Sequence, residues 1–145
     1  AELTTIKEKK VKDLTHLGEL LRARERPLAA LKEYQKAMSL QGMGNPAIQN
    51  GAASALLELK RPSEVPELMS LVLKYYPTFA NTYLNLGKAY LRLGKWKQAM
   101  TYYEQAIGIN PFHPEVHSAL LRIYTELGMK DKANQARSAV KVIEN

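Results

Sequence analysis

The sequence Tyr83-Leu84-Asn85-Leu86-Gly87-Lys88-Ala89-Tyr90 decides the fold, because its pattern returns at a fixed distance along the chain. The pair Leu86-Gly87 has counterparts at Leu17-Gly18, Ala52-Ala53 and Leu120-Leu121, at steps of 34 or 35 residues. A period of this size is typical of helical repeats that stack side by side. Such arrays expose extended concave surfaces and generally act by binding. The period therefore predicts a binding protein and leaves its partner open.

Each repeat is predicted to consist of two helices. Apolar residues follow helical spacing from Asn81 to Leu93, Gly94-Lys95 interrupts them, and a second helix runs from Trp96 to Ile109. Gly42-Met43-Gly44-Asn45 is predicted to be a flexible joint that takes up the extra residue of the 35-residue step. The predicted fold is all-α, with about eight antiparallel helices. Residues 1–10 are predicted to be an N-terminal extension that starts the first helix. Four repeats are predicted to follow, at 11–45, 46–79, 80–113 and 114–145, and the second of them is degenerate.

Local signals predict where several helices begin and end. Asn45 is expected to cap the helix that Pro46 opens, since an Asn side chain can accept a hydrogen bond from the first turn. Ser63 is expected to cap the fourth helix, and Pro77 to end it. Thr5-Ile6-Lys7-Glu8 fits a capping box and indicates an early start for the first helix.

Composition excludes several classes of protein. Of the 145 residues, 46% are hydrophobic and 24% are charged, which is typical of a soluble globular chain. No apolar run approaches the roughly 18 residues of a membrane span, and no signal peptide is recognisable. The chain starts Ala1-Glu2 without Met, so we expect a processed chain or a piece of a longer protein. Cysteine is absent, which excludes disulfides and thiolate metal sites and leaves the compartment open.

The chain carries a net charge of +7, and residues 80–113 have four basic side chains against Glu104 alone. Charge that is spread over a protein mainly supports solubility and attracts polyanions weakly. We therefore do not predict a dedicated nucleic-acid role. A polyanion-binding surface is kept as an alternative, and it would use Lys88, Arg92, Lys95, Lys97 and Arg122.

Neither catalysis nor metal binding is predicted. The only two aspartates, Asp13 and Asp131, are placed near predicted helix starts, and there is no phosphate-binding glycine loop or cysteine nucleophile. His113 and His117 flank Pro114 at an inter-repeat joint without an evident third ligand, which favours a structural linker over a metal site. We predict that the protein is not an enzyme and has no cofactor.

The residues from Tyr83 to Tyr90, followed by Ala99, Tyr103, Ala106 and Pro111, resemble the signature of the tetratricopeptide repeat. The resemblance covers about residues 11–145, with Arg137 in place of an aromatic residue in the last repeat. The pentatricopeptide repeat, an RNA-binding relative of similar length, would not require the Leu-Gly and Tyr positions found here. The resemblance implies a right-handed helical-hairpin solenoid in which the first helix of each pair lines a concave groove.

The same resemblance implies a set of groove side chains. In the first repeat it places Lys12, Thr15, Glu19 and Arg22 there. Amides can pair with a peptide backbone, cations attract an acidic group, and leucines offer apolar contact. We therefore predict a scaffold or adaptor that binds a protein or peptide segment with an acidic group, using Asn50, Ser54, Asn81, Leu84, Lys88, Leu91, Arg92, Ser118 and Arg122.

Other interpretations of these side chains remain open. They could be ordinary solvated helix faces, where Asn, Lys and Arg are common. The array could also be a structural spacer or an oligomerisation arm of a larger protein. The last helix would leave Val140 and Ile143 uncovered, so we expect its edge to pack on further chain, a partner or a second copy.

One subclass of the family binds the C-terminal carboxylate of heat-shock chaperones with two Lys, two Asn and one Arg from three adjacent helices. Asn85 would match one of these positions. Asn50 and Ser54 stand where the preceding helix should supply Lys and Asn, and Glu115 and Ala119 stand where the next should supply Lys and Arg. Chaperone-tail binding is therefore not predicted.

Overall fold

The structure is a computed structural model, and it describes residues 2–42 and 44–144. Within those residues the secondary structure is helical, and contacts divide the chain into two compact units, Ala1–Pro77 (unit 1) and Thr78–Asn145 (unit 2). Unit 1 contains the first four α-helices, with a short 3₁₀ turn at Pro62–Glu64, and unit 2 contains the other four. The helices are α1 Glu2–Ala23, α2 Pro27–Gln41, α3 Pro46–Glu58, α4 Val65–Tyr75, α5 Ala80–Arg92, α6 Trp96–Ile109, α7 Pro114–Glu126 and α8 Lys130–Glu144.

The first helix of each pair ends in the same kind of turn, which contains one residue with a left-handed backbone. That residue is Glu25 (φ 58°), Lys60 (φ 60°), Gly94 (φ 75°) or Gly128 (φ 71°). The residue that follows it donates its backbone N–H to the carbonyl five positions earlier, as Lys95 does to Tyr90 O at 2.9 Å. Glycine adopts this backbone without strain, whereas a side chain at this position costs about 1–2 kcal/mol.

The signals for the helix starts had different outcomes. The Asn45 cap is confirmed, because its Oδ1 accepts a hydrogen bond from Ala47 N at 2.9 Å. The early start of the first helix is confirmed, but the capping box at Thr5 is wrong, since α1 already begins at Glu2. The Ser63 cap is also wrong: the chain forms a 3₁₀ turn there, and Glu64 precedes α4 without a side-chain cap.

Two further expectations concern the connections. α4 ends at Tyr75, two residues before Pro77, and the backbone N–H of Tyr76 closes its last turn on Val72 O at 2.7 Å. The predicted joint at 42–45 includes Met43, which lies outside the described residues. Gly42 ends α2 with a φ of 68° and donates its N–H to Met38 O.

The core of unit 1 depends on Tyr34 of α2, which is 1% exposed. Its ring lies against two glycines: a Cβ built on Gly18 of α1 would be 2.8 Å from ring atoms, and one built on Gly51 of α3 would be 2.6 Å away. Both distances are shorter than real Cβ contacts, so three helices approach around this ring only because two of them lack a side chain there. The sequence pattern identified Gly18 but overlooked Gly51.

Unit 2 repeats this arrangement with Tyr103 of α6, which is buried against Gly87 of α5. A Cβ at Gly87 would be 3.0 Å from the Tyr103 ring. Around the tyrosine packs a cluster of buried side chains drawn from all four helices of the unit: Leu84, Ala99, Ala106, Val116, Leu120, Ile123, Tyr124, Ala133 and Ala136. Small residues let the helices come close, and large ones fill the space opposite.

The end of α8 differs from the sequence-based expectation. Val140 and Ile143, which were expected to be uncovered, are half-buried. The exposed apolar residue is Val142, with 76% of its surface accessible. The helical phase explains the difference, because Val142 lies on the side of α8 opposite to the buried Ala133 and Ala136 stripe.

We predict that Lys60→Gly stabilises unit 1. The substitution removes the strain of a left-handed backbone at an exposed lysine, which should raise the free energy of unfolding by about 1–2 kcal/mol. The greater freedom of glycine in the unfolded chain should reduce this gain by about 0.5–1 kcal/mol. Urea unfolding followed by circular dichroism measures the change. Gly94→Ala, at the equivalent turn of unit 2, should destabilise the protein, and a stabilising result there would contradict the explanation.

We predict that Gly51→Ala destabilises unit 1, because the added methyl group meets a Tyr34 ring that is also in close contact with Gly18. Overpacking of this kind costs about 1–3 kcal/mol, against a gain of at most about 1 kcal/mol from helix propensity. The control is Gly108→Ala in α6, where a Cβ meets nothing within 4 Å. That variant should be stabilised, and equal behaviour of the two alanine variants in thermal unfolding would refute the role of the ring.

Candidate functional site

In unit 2, the predicted groove residues of α5 approach the first turn of α7. Lys88 Nζ lies 2.6 Å from Glu115 Oε1, and the two side chains are 29% and 51% exposed. Glu115 suits the first turn of a helix, where the backbone dipole favours a negative charge. The pair connects two helices that each come first in their hairpins. Lys88 is therefore one partner of an ion pair, which the sequence alone did not indicate.

A second contact on α7 involves the only tryptophan of the chain. The guanidinium carbon of Arg122 lies 5.3 Å from the centre of the Trp96 ring, within the range of a cation–π interaction. Trp96 begins α6 and is half-buried, while Arg122 is exposed. Ser118 precedes Arg122 by one helical turn and is also exposed. The ring thus holds the guanidinium at the surface of unit 2, where its hydrogen-bond donors can meet a ligand.

The remaining predicted residues of α5 differ in accessibility. Asn81 and Arg92 are exposed and Leu91 is half-buried. Leu84 is 8% exposed and belongs to the core cluster of unit 2, which leaves little of it for a ligand. The accessible predicted groove residues of unit 2, together with the ion-pair partner Glu115, are called here the α5–α7 face: Asn81, Lys88, Leu91, Arg92, Glu115, Ser118 and Arg122.

Two charged groups of this face affect the pKa of the Tyr103 hydroxyl. Burial raises the pKa of Tyr103 far above its usual value, the Glu115 carboxylate raises it further, and Arg92 opposes them. Tyr124 behaves similarly, since burial and the nearby Glu104 carboxylate raise its pKa to about 12. Both tyrosines are therefore held in their neutral form, and the electrostatics of the face is set by its lysine, arginine and glutamate side chains.

Unit 1 contains the two other predicted residues, Asn50 and Ser54 of α3. Asn50 is 4% exposed and its Nδ2 donates to Pro46 O at 3.0 Å, one turn back in the same helix. Ser54 is half-buried. The side chain that connects α1 to α3 is Arg22, whose Nε and Nη2 donate to Glu58 Oε1 at 3.0 and 2.8 Å. An internal ion pair thus occupies this part of the predicted groove.

A cleft of about 540 Å³ runs along α1 of unit 1. Three of the predicted groove side chains, Lys12, Thr15 and Glu19, lie in its wall. The rest of the lining is largely polar and mixes both signs of charge: Thr4, Lys7, Glu8, Val11, His16, Gln41 and Asn45. Its charges balance, so this cleft lacks the excess of cations that the α5–α7 face carries.

The histidine pair near the start of α7 does not form a metal site with a third ligand. Among residues 2–42 and 44–144, no group of three or more His, Cys, Asp or Glu side chains is arranged to hold a metal ion. His117 Nε2 instead lies 2.6 Å from Pro111 O, so this histidine tethers the loop between α6 and α7. The Pro114 that separates it from His113 opens α7.

Sequence patterns missed two features of this surface. Glu115 was placed on the groove side, but the pattern of one repeat cannot show that its carboxylate reaches a lysine on the preceding one. The Trp96 contact with Arg122 joins residues that are far apart in the chain, and no local spacing indicates it. The sequence showed an excess of basic residues over Glu104 in 80–113, but that excess does not indicate either pairing.

The family model of the tetratricopeptide repeat matches residues 80–113, which are α5, α6 and their flanking turns. Residues 80–113 thus match a tetratricopeptide repeat, and the fold of the chain is that of tetratricopeptide-repeat proteins. A thermophilic tetratricopeptide-repeat protein of Thermus thermophilus has a similar fold, with a TM-score of 0.80 and 23% identity over 92% of this chain and 74% of that one. The first such domain of Spaghetti (RPAP3), bound to the HSP90 peptide SRMEEVD, has a TM-score of 0.78 and 23% identity, covering 83% of this chain and 94% of that one.

A curated relative matches more than half of this chain. Serine/threonine-protein phosphatase T of Trypanosoma brucei brucei (strain 927/4 GUTat10.1) is 34% identical over 82 residues, which is 57% of this chain. The chain spans 17% of the length of that relative.

The fold has general consequences for function. Tetratricopeptide repeats form scaffolds for protein–protein interaction, and proteins built from them are in general not enzymes. In the described part of the chain, every helix is too short or too polar to cross a bilayer. The all-α helical-hairpin architecture predicted from the repeat period is confirmed.

We predict that unit 2 loses stability as the pH rises above about 10. A tyrosine in the unfolded chain ionises near pH ~10, whereas burial raises the folded-state pKa of Tyr103 and Tyr124, so their contribution is complete below about pH 10 and declines above it. The free energy of unfolding measured at about pH 8 and about pH 11 tests this. Tyr103→Phe should reduce the loss, while Tyr75→Phe, at an exposed position of α4, should not change it.

Proposed function

We propose that the α5–α7 face of unit 2 binds a peptide segment that carries acidic groups. The observation that carries the proposal is the charge of the face, which presents Lys88, Arg92 and Arg122 against the single carboxylate of Glu115. An acidic peptide complements this excess, and the complementarity would both speed association and select against basic ligands.

The chemistry of the individual side chains supports a peptide rather than a small ion. Arginine presents a planar set of donors that matches a carboxylate with two parallel hydrogen bonds. Asn81 is exposed on the same helix as Lys88 and offers both a donor and an acceptor for a peptide group. Leu91 and Trp96, both half-buried, add apolar surface beside the cations. A segment that combines acidic and apolar residues would use all of these groups.

The comparisons support the same class of partner. The domain of Spaghetti (RPAP3), a structural neighbour, was solved with a bound peptide whose sequence SRMEEVD is acidic. We do not transfer that ligand, because Glu115 and Ala119 stand on α7 where the chaperone-tail pattern requires cations. The proposal is limited to an acidic peptide segment.

We further propose that each of the helix pairs α1–α2, α3–α4, α5–α6 and α7–α8 is one repeat. The recurrence of one left-handed residue in the turn of every pair, at 25, 60, 94 and 128, supports the division. Asn50 and Ser54 would then be the counterparts in unit 1 of groove positions in unit 2, but with less of their side chains accessible.

The second candidate is a polyanion surface, and one observation favours it. Two cations of the candidate polyanion surface lie over aromatic rings, Arg122 over Trp96 at 5.3 Å and Lys95 over Tyr90 at 6.0 Å. Single-stranded nucleic acids bind to surfaces that combine cations with aromatic rings. Salt separates the candidates, because polyanion affinity falls steeply with ionic strength. Binding to a peptide with few charges should fall only modestly.

We predict that Lys88→Glu combined with Arg122→Glu weakens binding of acidic peptides by about tenfold or more, since each charge-assisted hydrogen bond contributes about 1.5–3 kcal/mol. An array of random short peptides, grouped by acidic content, is probed with the wild-type protein and the variant. Affinities of selected peptides are then measured through the emission of Trp96, the only tryptophan and a neighbour of Arg122. Circular dichroism should show unchanged helicity.

The matched control is Lys9→Glu combined with Lys32→Glu, which changes the net charge equally at exposed positions of unit 1. It should leave the preference for acidic peptides intact. If both double variants lose binding equally, net charge and not the α5–α7 face is responsible. If a deoxythymidine oligonucleotide binds more tightly than any array peptide and with a steep salt dependence, the polyanion candidate replaces the peptide.

A further inference from the structure

The least exposed cation of the α5–α7 face already contacts a carboxylate of the protein itself. Lys88 Nζ is 2.6 Å from Glu115 Oε1, which is within hydrogen-bonding distance. A peptide carboxylate that approaches Lys88 must take the place of Glu115 and also meets its negative charge. We propose that Glu115 is a specificity-determining residue, which limits how strongly the face prefers acidic over neutral ligands. This inference rests on the proposed function.

The pair is exposed enough to be exchanged. Glu115 is 51% accessible and Lys88 29%, so water competes with both partners, and ion pairs of this kind hold together weakly. A ligand that brings further contacts to Arg92, Arg122 or Leu91 can therefore displace Glu115 from the lysine. A ligand that offers only an isolated carboxylate gains little by doing so. Glu115 thus favours acidic groups that arrive as part of a longer matching segment.

The corresponding ion pair of unit 1 shows what a tighter arrangement looks like. Arg22 makes two hydrogen bonds to Glu58, at 3.0 and 2.8 Å, and connects α1 to α3 as Lys88 and Glu115 connect α5 to α7. Because a guanidinium holds a carboxylate through donors in a fixed plane, this pair resists exchange better than a single ammonium contact. Of the two pairs, the one in unit 2 is the better suited to open for a ligand.

The charges of the face allow the effect of Glu115 on ligand affinity to be estimated. The face as defined carries three cations and one anion, and Glu115→Gln would leave the three cations without that anion. Removal of an exposed like charge next to a binding carboxylate, together with release of its lysine, should change affinity by about three- to tenfold. A neutral peptide should not respond, because it neither displaces Glu115 nor is repelled by it.

The test compares Glu115→Gln with Glu126→Gln. Both variants remove one negative charge from α7, but Glu126 is exposed at the far end of the helix from Glu115. The probes are an acetylated and amidated peptide of alternating glutamate and leucine, and its glutamine analogue without charge. Affinities are measured through Trp96 emission at low and high salt.

We expect Glu115→Gln to bind the acidic peptide about three- to tenfold more tightly than wild type and the neutral peptide within about twofold. The gain should shrink at high salt. Glu126→Gln should bind both peptides within about twofold of wild type. Lys88→Gln should remove most of the gain when it is combined with Glu115→Gln, which would show that the effect depends on the release of this lysine.

The outcomes separate this inference from the proposed function. If wild type prefers the acidic peptide and Glu115→Gln behaves like Glu126→Gln, the inference is overturned while the acidic-peptide face stands. If only Glu115→Gln binds the acidic peptide, the inference is supported in its strongest form. If neither protein prefers the acidic peptide, both proposals fail. Glu115→Gln is isosteric at an exposed site, and unchanged circular dichroism would show that its folding is intact.

Discussion

Both units depend on one constraint, which is the close approach of a tyrosine ring to glycine on a neighbouring helix. Tyr34 lies against both Gly18 and Gly51, and Tyr103 lies against Gly87. Because a methyl group at Gly18 or Gly51 would overlap the ring, the spacing of these helices is set by their backbones. The other core residues fill the space that this spacing leaves. In unit 2 the same kind of contact sets the approach of α6 to α5, which carries part of the proposed face.

The face of unit 2 shows how packing and function share one scaffold. Tyr103 is buried below the face, and two of its charged groups, Glu115 and Arg92, act on the pKa of the tyrosine hydroxyl. Leu84 belongs to the same helix as Lys88 but is in the core, so α5 contributes one side to stability and the other to the proposed binding face. This division is what an amphipathic helix in a repeat provides. It also explains why only part of the predicted groove is accessible.

The two units contain the same elements but different electrostatics. In unit 1, Arg22 and Glu58 pair through two hydrogen bonds, and the cleft along α1 mixes lysines with glutamates. In the face of unit 2, one carboxylate stands among three cations. Repeat proteins can vary such side chains freely, because exposed positions of the first helices contribute little to the shared core. Ligand preference can therefore change from repeat to repeat without change in the fold.

The sequence alone determined the repeat period, the all-α class and most helix ends, because residues such as Gly94, Asn45 and the prolines act through their immediate neighbours. It failed at Ser63 and overlooked the two left-handed turns without glycine, where packing of the hairpin overrides local preference. Tertiary structure decided which predicted groove residues are buried and that Lys88 pairs with Glu115. These features join residues that are distant in the chain or depend on which side of a helix meets a neighbour, and no local pattern contains that information.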